Sequence, residues 1–369
     1  MAIFFLILSH SSVFAANDPS SVANNRFGIH ILFPEELEQA AKLVNSNGGE
    51  WGYITIPVRS DDKNLEKWQA FLNKSVKLKI IPILRLATYP SGENWTKPTV
   101  FDPLDWANFL DSLEWPVQNR YVVVYNEPNH AQEWGGEVNP EEYSQQLLWT
   151  SLELKKRNQD FYVLPAGLDA SVPTSSTSLD EYAYLDRMYR FEKGIFNTLD
   201  GWNSHSYPNP NFSSSVDNKG PKSVITYAWE TDYIKANFGK EFNNIFITET
   251  GWNGEVLGKE QVADNFSKAF SQVWNKPEII AVTPFLLSAQ DGPFKKFSWT
   301  DVNYAPNFQY QKVAQINKVK GLPTSTTKLA AIPQINIEEN SNWSAQKTDS
   351  WQPSTKNFVK DLVKFLINE

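Results

Sequence analysis

Eight short apolar runs, rich in β-branched and aromatic residues, recur along the chain, and stretches with helical signals separate them. The runs are Phe27–Ile31, Tyr53–Val58, Leu78–Leu86, Tyr121–Tyr125, Tyr162–Gly167, Leu199–Tyr207, Ile245–Thr248 and Ile279–Leu287. They are nearly continuous rather than alternating. That predicts strands covered on both faces, as in a parallel sheet. Parallel neighbours need crossover connections, and the intervening segments read as helices. Asn139-Pro140-Glu141-Glu142 combines a capping Asn, a Pro in the first turn and acids at the positive helix end. Leu147, Leu152 and Leu154 follow it. Pro34-Glu35-Glu36-Leu37 opens another helix, with Ala40, Ala41 and Val44 at helical spacing. A third, after Glu260, carries Val262, Phe266, Ala269, Phe270 and Val273.

Eight βα units predict an α/β fold closed into a (β/α)8 (TIM) barrel. An open doubly wound sheet is the rival, but it calls for a Gly-rich phosphate turn, and neither GxGxxG nor GxxxxGK[ST] is present. There is no GxSxG nucleophile elbow either. A barrel commonly needs about 250 residues, so the 369 residues here suit one such domain with short ends. We expect a signal peptide at 1–15, the barrel at 16–322, and a linker with a C-terminal helix at 323–369. Pro323-Thr-Ser-Thr-Thr-Lys328 has linker composition. Phe358, Leu362, Phe365 and Leu366 share one helical face, suited to docking on the barrel.

Acidic residues outnumber basic ones, 42 to 34, and no cluster of Lys and Arg exists. Nothing would neutralise a nucleic-acid backbone or an anionic membrane, so neither partner is expected. A neutral polymer fits better. The 14 Trp could stack on sugars, but they serve equally to fill cores. The chain has no Cys, and its four His are scattered without HExxH-type spacing, so neither a metal nor another cofactor is expected. The N-terminal run Met1–Leu8 is too short to span a bilayer. It suits a signal-peptide core, and small Val13 and Ala15 precede a plausible cleavage point, so secretion is expected.

The fourth run, Tyr121-Val-Val-Val-Tyr-Asn-Glu-Pro-Asn129, leads an apolar strand straight into Glu127. The seventh, Ile245-Phe-Ile-Thr-Glu-Thr-Gly-Trp252, does the same with Glu249. A carboxylate at the end of a buried strand is costly unless it is paired or used. In an eight-strand ring, the fourth and seventh strands lie nearly across the mouth from each other. Their C-terminal ends are where barrel active sites are built. Two facing carboxylates are what glycoside hydrolysis needs: one protonates the leaving oxygen, and the other attacks the anomeric carbon. The nucleophile must stay ionised, so donors should surround it. Arg85 ends the third strand and is expected to pair with an active-site acid. His30 ends the first. His205 and Tyr207 end the sixth and share parity.

Asn126-Glu-Pro-Asn129 and Thr248-Glu-Thr-Gly-Trp252 resemble the signatures of clan A glycoside hydrolases, over roughly residues 25–320. With Trp134-Gly-Gly and Pro140-Glu-Glu-Tyr143, the chain is most similar to family 39 and its exopolysaccharide-hydrolase relatives. The resemblance implies a retaining enzyme with Glu127 as acid/base and Glu249 as nucleophile. It also implies that Asn126 binds the sugar 2-hydroxyl and that a His-x-Tyr pair, here His205 and Tyr207, flanks the acids. Many clan members carry a sugar-stacking Trp at the end of the eighth strand, where this chain has Thr283-Pro-Phe-Leu-Leu-Ser288. Trp299, Trp252 or Phe285 is expected to take that place. The expected partner is therefore a carbohydrate substrate. The competing reading is a non-catalytic sugar-binding or structural cell-surface barrel.

Overall fold

In the computed structural model, which describes residues 16–289 and 291–323, the chain forms the expected (β/α)8 barrel. The expected signal peptide and C-terminal helix lie outside the described residues. The barrel strands are β1 (Gly28–His30), β2 (Gly52–Arg59), β3 (Ile80–Ala87), β4 (Arg120–Val124), β5 (Phe161–Pro165), β6 (Trp202–His205), β7 (Ile245–Glu249) and β8 (Ile279–Val282). The helices that follow them in turn are α1 (Leu37–Val44), α2 (Leu65–Leu78), α3 (Asp102–Asp111), α4 (Pro140–Arg157), α5 (Glu181–Phe191), α6 (Thr226–Phe238), α7 (Lys259–Lys268) and α8 (Phe308–Ala314). Leu78 belongs to α2 rather than to the third strand, because Lys79 turns left-handed at φ 53° and ends that helix.

Strands β1 to β5 pair in parallel, as do β6 to β8. Two seams close the ring. At one, the Asp200 N–H donates to the Val163 carbonyl at 3.1 Å, and Asp169 bridges His205. At the other, the Val282 N–H donates to the Arg26 carbonyl at 3.0 Å, and the His30 N–H to the Pro284 carbonyl at 3.0 Å. Gly28 is required at this second seam, since a Cβ there would lie 2.5 Å from Thr283 Cγ2 and 2.9 Å from the Val282 carbonyl oxygen.

The continuous apolar runs follow from this closure. One parity (Ile54, Ile56, Leu84, Val122, Val163, Ile247) faces the helices. The other fills the barrel with Tyr53, Ile81, Ile83, Tyr121, Val123, Tyr162 and Phe246. Above these rings lies a polar layer. Thr55 and Thr283 share a hydrogen bond at 2.8 Å, and Thr248 Oγ1 donates to Asn203 Oδ1 at 2.6 Å. Asn203 Nδ2 in turn donates to the Pro165 carbonyl at 3.0 Å. The interior thus grades from aromatic through hydroxyl and amide to charged at the C-terminal mouth. Helix α4 starts as its sequence directs: the Asn139 side chain accepts from the Glu142 N–H at 3.0 Å. It buries Tyr143, Leu147 and Leu154, whereas Leu152 points to solvent. The Tyr143 hydroxyl donates to the Val124 carbonyl at 3.2 Å and accepts from the Ala166 N–H at 2.7 Å, stitching together the ends of β4 and β5.

Candidate active site

Beyond β4 the backbone takes positive φ at Tyr125 (69°) and Glu127 (27°), a conformation that side-chain-bearing residues rarely adopt. Pro128 has no N–H to extend the ladder. The strained turn is held by hydrogen bonds from the Glu127 N–H to the Gly167 carbonyl (3.1 Å) and from the His130 N–H to the Glu127 carbonyl (2.9 Å). Strain of this kind concentrates at functional sites, and here it turns the Glu127 side chain into the mouth.

Glu249 reaches the mouth by another device. Ser204 pairs with Ile247 and His205 with Glu249, so Thr248 is the extra residue of a β-bulge in β7. Thr248 turns inward to Asn203, and the bulge lets the next residue, Glu249, turn inward as well.

The two carboxylates meet there. One oxygen of each, together with a ring nitrogen of His205, lies within 4.8 Å of the other two. His205 Nδ1 and Glu127 Oε1 share a hydrogen bond at 2.7 Å, and the same nitrogen is 3.9 Å from Glu249 Oε2. Arg85 Nη1 donates to Glu249 Oε1 at 2.6 Å and also to the Asn126 side-chain oxygen, tying the two strand ends together. The Tyr207 hydroxyl donates to Glu249 Oε2 at 3.0 Å. His30 is fully buried, with Nδ1 3.5 Å from Glu249 Oε1.

Burial alone would raise the Glu249 carboxyl. The positive His205 and Arg85 and the Tyr207 hydroxyl outweigh it and hold Glu249 below the ordinary carboxylate value. Burial would discharge His205, but Glu249 and Glu127 on either side raise its pKa instead. Burial and the nearby Arg85 push His30 down to about 3, so it is neutral. Among the described residues, Glu127, His205 and Glu249 are the group spaced to hold a metal ion.

The cleft above the acids has a cavity volume of about 200 Å³. Neither expected Trp lines it, which corrects the sequence reading. Trp252 is 1% exposed, donates to the Ser214 carbonyl at 2.9 Å and packs edge-on to Phe266 of α7. Trp299 is fully buried with its ring 4.6 Å from the same Phe266. Both fill the layer between β7, β8 and α7, where large apolar side chains are needed. Phe285, joined to Leu286 by a cis peptide, is the one of the three expected aromatic residues that lines the cleft, 5.2 Å from the His30 ring.

Several cleft residues escape a reading by strands. Asp169 lies two residues past Gly167, and its ion-pair partner His130, behind the cleft wall, just beyond the Asn126–Asn129 motif. Their position after strand ends was an available signal. Glu133, raised to about 7 by burial and by the charge on Glu127, and Trp95 sit in loops that carry no such signal.

No protein-family model matches the chain. No curated protein matches it either. Solved structures do match. One is a family 39 glycoside hydrolase from the gut symbiont Bacteroides cellulosilyticus, 18% identical at TM-score 0.54, over 81% of this chain and 64% of that one. This chain therefore spans less than two thirds of that enzyme. A monomeric β-xylosidase from Caulobacter crescentus is 14% identical at TM-score 0.56, over 82% and 71%. An endo-β-1,3-glucanase of family 128 from Pseudomonas viridiflava is 13% identical at TM-score 0.51, over 81% and 98%. The fold is that of the clan A glycoside hydrolase barrels.

Proposed function

We propose that this protein is a secreted, retaining β-glycoside hydrolase acting on an oligo- or polysaccharide. The observation that carries the reading is the meeting of Glu127 and Glu249 around His205, with ligand atoms within 4.8 Å. Retaining enzymes hold their carboxyl groups about 5–5.5 Å apart, and inverting ones about 6.5–9.5 Å to admit a water. The closer spacing supports direct attack by one carboxylate. Glu249, held ionised by Arg85, His205 and Tyr207, is the nucleophile, and its bond to the anomeric carbon inverts that centre once. Glu127, hydrogen-bonded to His205, is the acid/base, and in its protonated form gives the proton to the leaving oxygen. It then takes one from the water that releases the sugar, with a second inversion. Asn126, oriented by Arg85, is placed to meet the 2-hydroxyl.

The test begins with a screen over xylan, β-glucans, galactans and bacterial exopolysaccharides, together with chromogenic β-glycosides. Xylan and β-1,3-glucan come first because the similar structures include enzymes for those linkages. Proton NMR should show the β-anomer released first, and Glu249→Gln should abolish turnover. Glu127→Ala should still glycosylate Glu249 from a substrate with a good leaving group, and azide should then yield a β-glycosyl azide. Initial release of the α-anomer, or azide rescue with retention in Glu249→Ala, would overturn the assignment. Among the described residues no helix is long and apolar enough to cross a membrane. N-terminal sequencing of exported protein tests cleavage after Ala15.

A further inference from the structure

The cleft differs on the two sides of the acids. Beside Glu249 the wall is apolar, made of Phe212, Phe285 and Phe297 from the segments after β6 and β8. Beside Glu127 it is aromatic and charged. Asp169, after β5, and His130, after β4, form an ion pair at 3.0 Å with side chains 25% and 28% exposed. Asp169 Oδ1 is committed to its own loop, accepting from the Ser171 N–H at 2.7 Å and the Ser171 hydroxyl at 2.6 Å. The Asp169 backbone N–H donates to Asn129 Oδ1 at 3.1 Å, which fixes the loop against the β4 end. Oδ2 holds His130. Burial would discharge His130, but its bond to Asp169 and the charge on Glu127 raise it to about 9, so the pair is ionic at neutral pH. Trp95 comes from a short hairpin, Pro90–Ser91 with Asn94–Trp95, after β3. Its carbonyl accepts from the Gly135 N–H at 2.8 Å, which sets the hairpin against the loop that carries His130.

In the proposed reaction the acid/base lies on the side where the leaving group departs, and the nucleophile attacks from the other. We propose that Trp95 and Asp169, the latter held in place by His130, form the subsite for the leaving group, and that this group is itself a sugar. The inference rests on the glycosidase reading above. Trp95 supplies an aromatic face for the sugar's C–H surface, and the Asp169 carboxylate supplies an acceptor for its hydroxyls. A sugar held there serves the reverse step equally well. One of its hydroxyl oxygens bonds to the anomeric carbon, the bond to Glu249 breaks and leaves a carboxylate, and the hydroxyl proton passes to Glu127.

The experiment compares a β-linked oligosaccharide with the β-glycosyl fluoride of the sugar it releases, because fluoride is too small to fill the subsite. Trp95→Ala and Asp169→Asn should each lower kcat/KM on the oligosaccharide at least tenfold and on the fluoride no more than threefold. Trp95→Phe should recover most of the loss. With the fluoride as donor, added oligosaccharide should give transfer products in the wild type and far fewer in Trp95→Ala. Equal losses on both substrates in folded variants, or a wild type that cleaves fluorides but neither cleaves nor extends oligosaccharides, would overturn this proposal alone. A wild type inactive on every glycoside would overturn the glycosidase reading with it.

Discussion

A carboxylate sealed into the mouth of a barrel keeps its charge only if its neighbours supply the compensation that water no longer can. At Glu249 that falls to Arg85, His205 and Tyr207. In the proposed mechanism activity requires Glu249 ionised, so it should rise with pH through the Glu249 pKa. Removing the Arg85 charge raises that pKa and moves the acidic limb of the kcat/KM profile to higher pH. Arg85→Met should show this shift together with a loss of roughly 10²–10³ in rate, the usual cost of one electrostatic contact to the reacting groups. An unmoved acidic limb would show that Arg85 does not hold the charge. Trp299 makes the opposite case. It is fully buried against Phe266 and remote from the cleft. Trp299→Ala should cost about 3–5 kcal/mol in urea unfolding while leaving KM within twofold. A large KM change with little loss of stability would restore it as a sugar platform.

Between elements, the site depends on how closely strand ends approach. Gly167, just past β5, lies against the His205 ring, and a Cβ there would come within 2.1 Å of its Cδ2. Gly167→Ala should displace His205 from Glu127 and cut kcat/KM by 100-fold or more, with the circular dichroism of the folded barrel retained. Behind β6, Glu181 opens α5 and Glu230 lies on α6, both buried. Trp202 Nε1 donates to Glu230 Oε2 at 2.7 Å. Burial raises both carboxyls, and the negative Glu230 raises Glu181 further. A folded-state pKa above the unfolded value means stability present below the unfolded value and lost as pH rises through the folded one. Thermal unfolding scans should therefore show Tm falling as pH rises above the ordinary carboxylate range, and Glu181→Gln should flatten the fall. A wild-type Tm that stays constant over that rise would argue against the raised carboxyls.

Around the molecule as a whole, the last described residues form a strap over the N-terminal ends of the strands. Lys318 Nζ donates to Ser46 Oγ and the Val313 carbonyl, each at 2.8 Å. The Gly321 N–H donates to the Glu50 carbonyl at 3.0 Å, and the Leu322 N–H to the Ala23 carbonyl at 2.8 Å. We expect a chain cut after Pro323 to unfold cooperatively and keep its activity. A chain cut after Ile316 should lose about 2–6 kcal/mol for these contacts, at roughly 0.5–1.5 kcal/mol for each hydrogen bond removed. Equal Tm values for the two would show that the strap contributes nothing.

The eight strands and the candidate acids are legible in the sequence because they rest on local regularities. A strand buried on both faces must be a continuous apolar run, and a charge that ends such a run stands out against it. Glu127 and Glu249 are visible for that reason, as are Arg85, His30 and His205. Parity along β7, by contrast, would send Thr248 and Glu249 to opposite faces. Both turn inward because pairing with β6 inserts a bulge, and nothing within Ile245–Glu249 announces it. Nor does composition separate a tryptophan that stacks on sugar from one that fills a wall. Trp68, Trp106, Trp134, Trp202, Trp252, Trp274 and Trp299 are all fully buried, while Phe285 and Trp95 line the cleft. Whether a ring meets solvent or a helix depends on which distant segments pack over it, and that emerges only when the barrel closes.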